Sequence, residues 1–246
     1  MLPSDKSDQA YTAIKQAIIE GALTPGTKLP EDSLGTHFGM SRTLIRAALA
    51  RLVAEGLVET QQKRTATVAQ PSLEEARSVF ELRRCLEAEV VRLVIARWQP
   101  SLGAALEGHV RLEEQAAKQQ QAPAVSARLA GEFHQLLAQM AGNPLLERYV
   151  GEVVSRCSLI LAIYGRPHAA DCAIAEHRGL IDALRRGDEK TARRLMASHL
   201  GSVEHRALHG EAAKQEQDLG QILSRYAGEP AGAGAAAPLR RSRKPR

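Results

Sequence analysis

The stretch "EDSLGTHFGMSRTLIRAALARLVAEGLVET", residues 31–60, holds two helical patterns separated by a glycine. The first pattern is short and stops at Gly39, a residue suited to the left-handed conformation that ends helices. The second opens on Ser41, whose hydroxyl can accept from a free backbone N–H of the first turn, and it sets Leu44, Ile45, Ala48, Leu49 and Leu52 on one stripe. Two helices joined by a tight glycine-containing turn make a helix-turn-helix. In that motif the second helix enters the major groove by its amino-terminal end, so its first exposed turn needs short polar or guanidinium side chains. "SRTLIR" supplies them. Ser41 and Thr43 can bond phosphates or base edges, while Arg42 and Arg46, four residues apart, project as two forks suited to guanine or phosphate. Taken singly, Arg42, Arg46 and Arg51 also read as the solvated face of an amphipathic helix.

Upstream, "AYTAIKQAIIE" at residues 10–20 puts Ile14, Ala17 and Ile18 on one face ahead of the stop "GALTPG", which predicts a first helix. Downstream, "LVETQQKRTATVAQP" alternates, is rich in Thr and Val, and has a polar centre, which predicts a two-stranded hairpin. Helix-turn-helix plus hairpin is a winged helix, with Lys63 and Arg64 at the wing tip, where a phosphate or minor-groove contact is natural. Pro71 closes this unit. From Leu73 to Arg97 a long helical pattern begins, and others follow at about 101–119, 125–141, 144–164, 170–186 and 188–209, with no strand pattern among them. The expected fold is mostly α. A winged-helix domain spans residues 1–70 and an all-helical antiparallel bundle spans 71–210. An extension over 211–246 is expected to be largely disordered, since "AGEPAGAGAAAPLRRSRKPR" buries too little apolar surface to fold.

Composition agrees with helices and sets limits. Hydrophobic residues make up 44% of the 246, but aromatics only 3%, so the cores must be built from Leu, Val, Ile and Ala. The net charge of +5 says little, because Arg240, Arg241, Arg243, Lys244 and Arg246 in the tail account for all five. Residues 1–70 carry eight Lys/Arg against seven Asp/Glu, so DNA contact must come from local placement of charge. The basic tail reads as solvated, with non-specific attraction to DNA phosphates as its functional option. Cys85, Cys157 and Cys172 show no CxxC spacing, which fits reduced, buried thiols in a cytoplasmic protein rather than a disulfide framework. No apolar run approaches the ~18 residues of a spanning helix, so no membrane partner is expected.

The run "IIEGALTPGTKLPEDSLGTHFGMSRTLIRAALARLVAEGLVET" resembles the amino-terminal winged helix of GntR-family bacterial transcription factors. The helical remainder resembles the ligand-binding FCD domain of the FadR subgroup, through "R--LE" at Arg83 to Glu87, "FH" with "GN" nine residues on, "EH---I-AL--GD" and "H-L". The resemblance covers residues 10 to about 208 and implies a nucleoid-associated, cytoplasmic homodimer on a pseudo-palindromic DNA operator. Arg42, Thr43 and Arg46 would read bases, Ser41 would start the helix, and Lys63 and Arg64 would serve the wing. Where the family has a recognition-helix proline and a wing glycine, this chain has Leu44 and Thr65. A repressor relieved by a small organic-acid effector is the implied function.

Three histidines point the same way. His134 shares a face with Ala130, Leu137 and Ala141, His177 with Ile174, Ile181 and Leu184, and His199 with Ala192, Met196 and Val203. A lone inward histidine is an ordinary core residue, but three on separate helices each need a hydrogen-bond partner, and one divalent ion satisfies them together. Zn²⁺ is the first choice, with Ni²⁺ or Mn²⁺ as alternatives. By resemblance the same three residues are metal ligands, preceded one turn earlier by an aspartate. Here that position is Ala130, and Glu132 is turned about 200° from His134 on an ideal helix. The expectation is a neutral three-histidine set that draws a carboxylate from the effector. Arg83 can face the cavity in the family and would bind such a carboxylate bidentately, or else form an i,i+4 surface pair with Glu87. Two other readings stay open: a metal-free effector pocket, and a three-histidine metalloenzyme.

Overall fold

The computed structural model describes residues 3–60, 65–165, 170–208 and 219–226. The amino-terminal unit runs α1 (Pro3–Ile19), β1 (Lys28–Leu29), α2 (Glu31–Phe38), α3 (Arg42–Ala54), β2 (Val58–Glu59) and β3 (Ala66–Val68). Gly39 ends α2 at φ +62°, and the turn is so tight that a Cβ on Gly35 would stand 2.9 Å from the Met40 carbonyl oxygen. Ser41 caps α3, accepting from the Leu44 N–H at 3.5 Å. Ile45, Ala48, Leu49 and Leu52 are buried against Ile14, Ala17, Ile18 and Leu34, whereas Leu44 is only half-buried. The strands form a three-stranded antiparallel sheet in the order β1-β3-β2, with Leu29 opposite Ala66 and Val58 opposite Val68. The sequence predicts only the hairpin. β1 is two residues long, too short for alternation to reveal, and it exists because Lys28 and Leu29 complete the free edge of β3.

The second unit consists of α4 (Leu73–Ala96), α5 (Pro100–Lys118), α6 (Pro123–Met140), α7 (Pro144–Tyr164), α8 (Ala170–Arg185) and α9 (Glu189–Leu208). A capping box starts α4, in which Ser72 Oγ accepts from Glu75 N and Glu75 Oε2 accepts from Ser72 N. Helices α5, α6 and α7 each begin on a proline, which costs no intrahelical bond in a first turn. α4 packs on α7 and α9, α5 on α6 and α8, α6 on α7, and α8 on α9. Phe133, Leu137, Val91, Leu106 and Ile181 fill the centre. Of the cysteines only Cys157 is buried; Cys85 and Cys172 are exposed, contrary to a uniform buried-thiol reading. No described helix is long and apolar enough to cross a membrane.

The two units meet at defined contacts. Arg156 of α7 donates its Nε–H to the Glu55 carbonyl just past the carboxyl end of α3, at 2.8 Å, and lies across Gly56. Arg128 of α6 donates to Glu20 at 2.9 Å. A short helix α10 (Leu219–Leu223) lies within the extension expected to be largely disordered. Its Leu223 is buried in the amino-terminal core, and Tyr226 donates to Glu20 at 2.7 Å. Five helical residues are too few to show a period, and their order comes from this docking. Residues 227–246, with the basic tail, lie outside the described residues.

Candidate nucleic-acid interface and three-histidine centre

Ser41, Arg42, Thr43 and Arg46 are all exposed on the first turns of α3, on the side opposite the buried stripe. Neither guanidinium is idle. Arg42 pairs with Asp32, and Arg46 forms a two-pronged pair with Glu31, Nε to Oε1 at 3.1 Å and Nη2 to Oε2 at 2.8 Å. The Arg46 hydrogen bond holds the Glu31 carboxyl below its ordinary pKa. Arg51 faces elsewhere, pairing with Asp8 and lying over the Tyr11 ring at 3.7 Å, so it braces α3 on α1. Lys63 and Arg64 lie outside the described residues.

In the second unit His134 of α6, His177 of α8 and His199 of α9 are 2%, 1% and 5% exposed, and one nitrogen from each falls within 4.8 Å of the others. Each ring is aimed by a carboxylate from a different helix. His134 Nδ1 lies 2.5 Å from Glu87 Oε2 of α4, His177 Nδ1 3.0 Å from Glu113 Oε2 of α5, and His199 Nδ1 2.5 Å from Glu176 Oε2 of α8. An ionised carboxylate only accepts, so every Nδ1 is the donor and each neutral ring presents a lone pair at Nε2. Phe133 stacks on His177 with centroids 3.9 Å apart and fixes its tilt. Glu87 is itself held by Arg83, whose Nε donates to Oε1 at 2.6 Å.

The electrostatics favour the neutral form of His134 and His199. Burial pushes His134 down to about 3, overriding the attraction of Glu87, and burial likewise lowers His199. Burial opposes the Glu87 charge too, but the hydrogen bonds from His134 and Arg83 and the Arg83 charge overcome it and hold this carboxyl at about 2. The result is strained unless something is shared between the rings. His134 Nε2 and His199 Nε2 face each other at 3.1 Å, lone pair to lone pair, and His177 Nε2 is buried without a hydrogen-bond partner among the described residues. Three nitrogens each ~2.1 Å from one tetrahedral ion would stand about 3.4 Å apart, which compares with 3.1 Å between His134 and His199 and with the 4.8 Å that bounds all three. The three histidines could therefore hold a metal ion.

This corrects two expectations. The set is not a bare neutral one, since Glu87, Glu113 and Glu176 stand behind the rings and raise their basicity as ligands. The Arg83–Glu87 pair is buried rather than on the surface, with the two side chains 5% and 1% exposed. The three glutamates escape a reading based on one helix at a time, although Glu113 follows Leu106 and Val110 on the buried face of α5, where an acid calls for a partner.

His134 and His199 open onto a cavity of about 640 Å³. Ala130 is on its wall, so the position of the expected aspartate contributes a methyl group and space. Arg83 and Arg206 reach it, as do Val154, Cys157 and Leu161 of α7. Ile19, Glu20 and Gly21, from the end of α1 and the turn after it, close one side. The cavity is thus walled by both units.

Comparison with known proteins bears on both sites. Residues 6–68 match the family described as bacterial regulatory proteins, gntR family, and residues 78–202 match the FCD domain. The HTH-type transcriptional regulator YdhC of Bacillus subtilis (strain 168) is 25% identical over 194 residues, 78% of this chain and 86% of YdhC. The HTH-type transcriptional repressor RspR of Escherichia coli (strain K12) is 23% identical over 198 residues, 80% of this chain and 86% of RspR. Among solved structures, E. coli McbR/YncC superposes with a TM-score of 0.71 at 22% identity, covering 80% of this chain and 94% of that one, which shows a shared fold.

Proposed function

Because the chain belongs to the GntR family of bacterial regulatory proteins and carries an FCD domain, we propose that it is a metabolite-responsive repressor whose helical domain senses an organic acid beside a histidine-held metal. Family membership makes it a DNA-binding transcriptional regulator and not an enzyme. In the proposed complex it acts as a homodimer on a pseudo-palindromic operator. Arg42 and Arg46 exchange Asp32 and Glu31 for guanine or phosphate, Ser41 and Thr43 bond the backbone or base edges, and Lys63 and Arg64 serve the wing.

His134, His177 and His199 hold the ion, with Zn²⁺ preferred because a compact set of three imidazoles suits it, and Ni²⁺ or Mn²⁺ as alternatives. When bound, the metal supplies a Lewis-acidic anchor for an effector oxygen. The observation that carries the reading is the cavity itself. It joins His134 and His199 to the end of α1, so an occupant touches the DNA-binding unit directly. Helix α7 lines the same cavity and holds the end of α3 through Arg156, which gives a second connection from occupant to recognition helix. An effector that fits one placement of α1 and α7 better than the other shifts the operator affinity by that difference.

Selection of operators from a random DNA pool with the full-length protein tests this. Enriched sites should contain inverted half-sites, and Arg42→Ala should bind them at least about tenfold more weakly, as the loss of a bidentate base contact implies. Failure to enrich any sequence, or unchanged binding by the variant, would contradict it.

A further inference from the structure

Charged side chains on the cavity wall differ in whether the protein answers them. Glu20 accepts from Arg128 and Tyr226, Glu113 accepts from His177, and Arg83 donates to Glu87. Arg206 of α9 is different. It is half-buried on the cavity wall and, among the described residues, makes no hydrogen bond and no ion pair. The carboxylate whose charge acts on it, Glu176, is already the acceptor of His199 Nδ1. Burial lowers Arg206 from its ordinary pKa, the direction for a cation that has left water without gaining an anion. A guanidinium stays charged in proteins, so its desolvated N–H groups remain a standing cost.

Its place on the helix adds to this. Arg206 follows His199 by seven residues, which on an ideal helix is the same face about 10.5 Å further along. Long helical side chains lean toward the amino terminus, so the guanidinium is carried back toward the histidines. The same cavity is lined by Ala127, Ala130, Gly131, Ala162, Ala173 and Val203 beside Ser126 and Ser158, so much of its wall is small and apolar.

We propose that Arg206 is the anion anchor of the cavity, which selects an organic carboxylate with a short apolar body lying along the alanine and glycine wall. This rests on the reading of the cavity as the effector site, and it transfers to Arg206 the role that resemblance assigns to Arg83. Arg83, with its Nε spent on Glu87, then positions Glu87 and through it His134.

The test uses zinc-loaded full-length protein, titrated calorimetrically with hexanoate and with hexanamide, its uncharged counterpart. Wild type should bind the acid more tightly than the amide, and Arg206→Gln should lose on the order of tenfold in hexanoate affinity with unchanged zinc content. Arg206→Lys should keep part of the affinity. The ligand-free Arg206→Gln protein should melt no lower than wild type, since it sheds an unanswered charge, whereas a structural role would lower its Tm. Equal binding of acid and amide, no binding of hexanoate, or unchanged hexanoate affinity in Arg206→Gln would overturn the assignment. Operator affinity read in parallel separates the two ideas. Arg206-dependent binding without DNA release keeps the anchor and removes the effector reading, while DNA release that ignores Arg206 does the reverse.

Discussion

Each of the three clustered histidines is aimed by a glutamate behind its ring. Glu113 fixes the His177 tautomer by accepting from Nδ1, and replacing it by Gln keeps the shape but allows the amide to present its N–H₂ instead. Glu113→Gln should therefore weaken zinc binding about 10- to 100-fold in competition with a chromogenic chelator, and His177→Ala should lower it further. Unchanged affinity in either variant would count against the site. Acid provides a second probe. An unfolded histidine takes a proton near pH 6.5, whereas folded His134 does so only at about 3, so the unfolded state binds the extra proton in between. His199 is shifted the same way. This contribution to stability is whole above ~6.5 and is lost as pH falls toward the folded value. The urea midpoint of chelated protein should be lower at pH 5 than at pH 7.5, and an equal or higher midpoint at pH 5 would contradict the buried neutral state. The histidines themselves were legible, because an inward face is a property of spacing within one helix. Their glutamates were not, because α4 against α6, α5 against α8 and α8 against α9 are pairings that no single-helix period encodes.

At the scale of elements, the recognition helix is stored with Arg42 and Arg46 tied to α2. Exposed ion pairs contribute only about 0–1 kcal/mol, so DNA can displace them cheaply, but the acids still compete with phosphate. Asp32→Asn together with Glu31→Gln should tighten operator binding a few-fold at low salt, measured by fluorescence anisotropy, with the gain shrinking as salt rises. Weaker binding would mean that the acids orient the arginines rather than restrain them. Ser41, Gly39 and the buried stripe of α3 were readable from local chemistry alone. The short elements were not, since β1 and α10 owe their existence to β3 and to the pocket around Leu223.

At the scale of the molecule, the cavity and the recognition helix share α7, and Arg156 is the contact through which they meet. Arg156→Ala removes the bond to the Glu55 carbonyl without touching either the histidines or the exposed face of α3. The ratio of operator affinities with and without zinc should move toward one in this variant, while its zinc content stays at the wild-type level. A ratio equal to that of wild type would remove α7 as the connection. The sequence shows a change of pattern after Pro71, but not the contacts across it, because Arg128, Arg156 and Glu20 look like ordinary surface charges until the helices are placed.

The metal content of the full-length protein, purified without chelator and measured by inductively coupled plasma mass spectrometry, tests the central claim most directly. The three-histidine centre predicts about one divalent ion per chain, with zinc foremost. A protein that carries no ion and takes up none when zinc is added would contradict it.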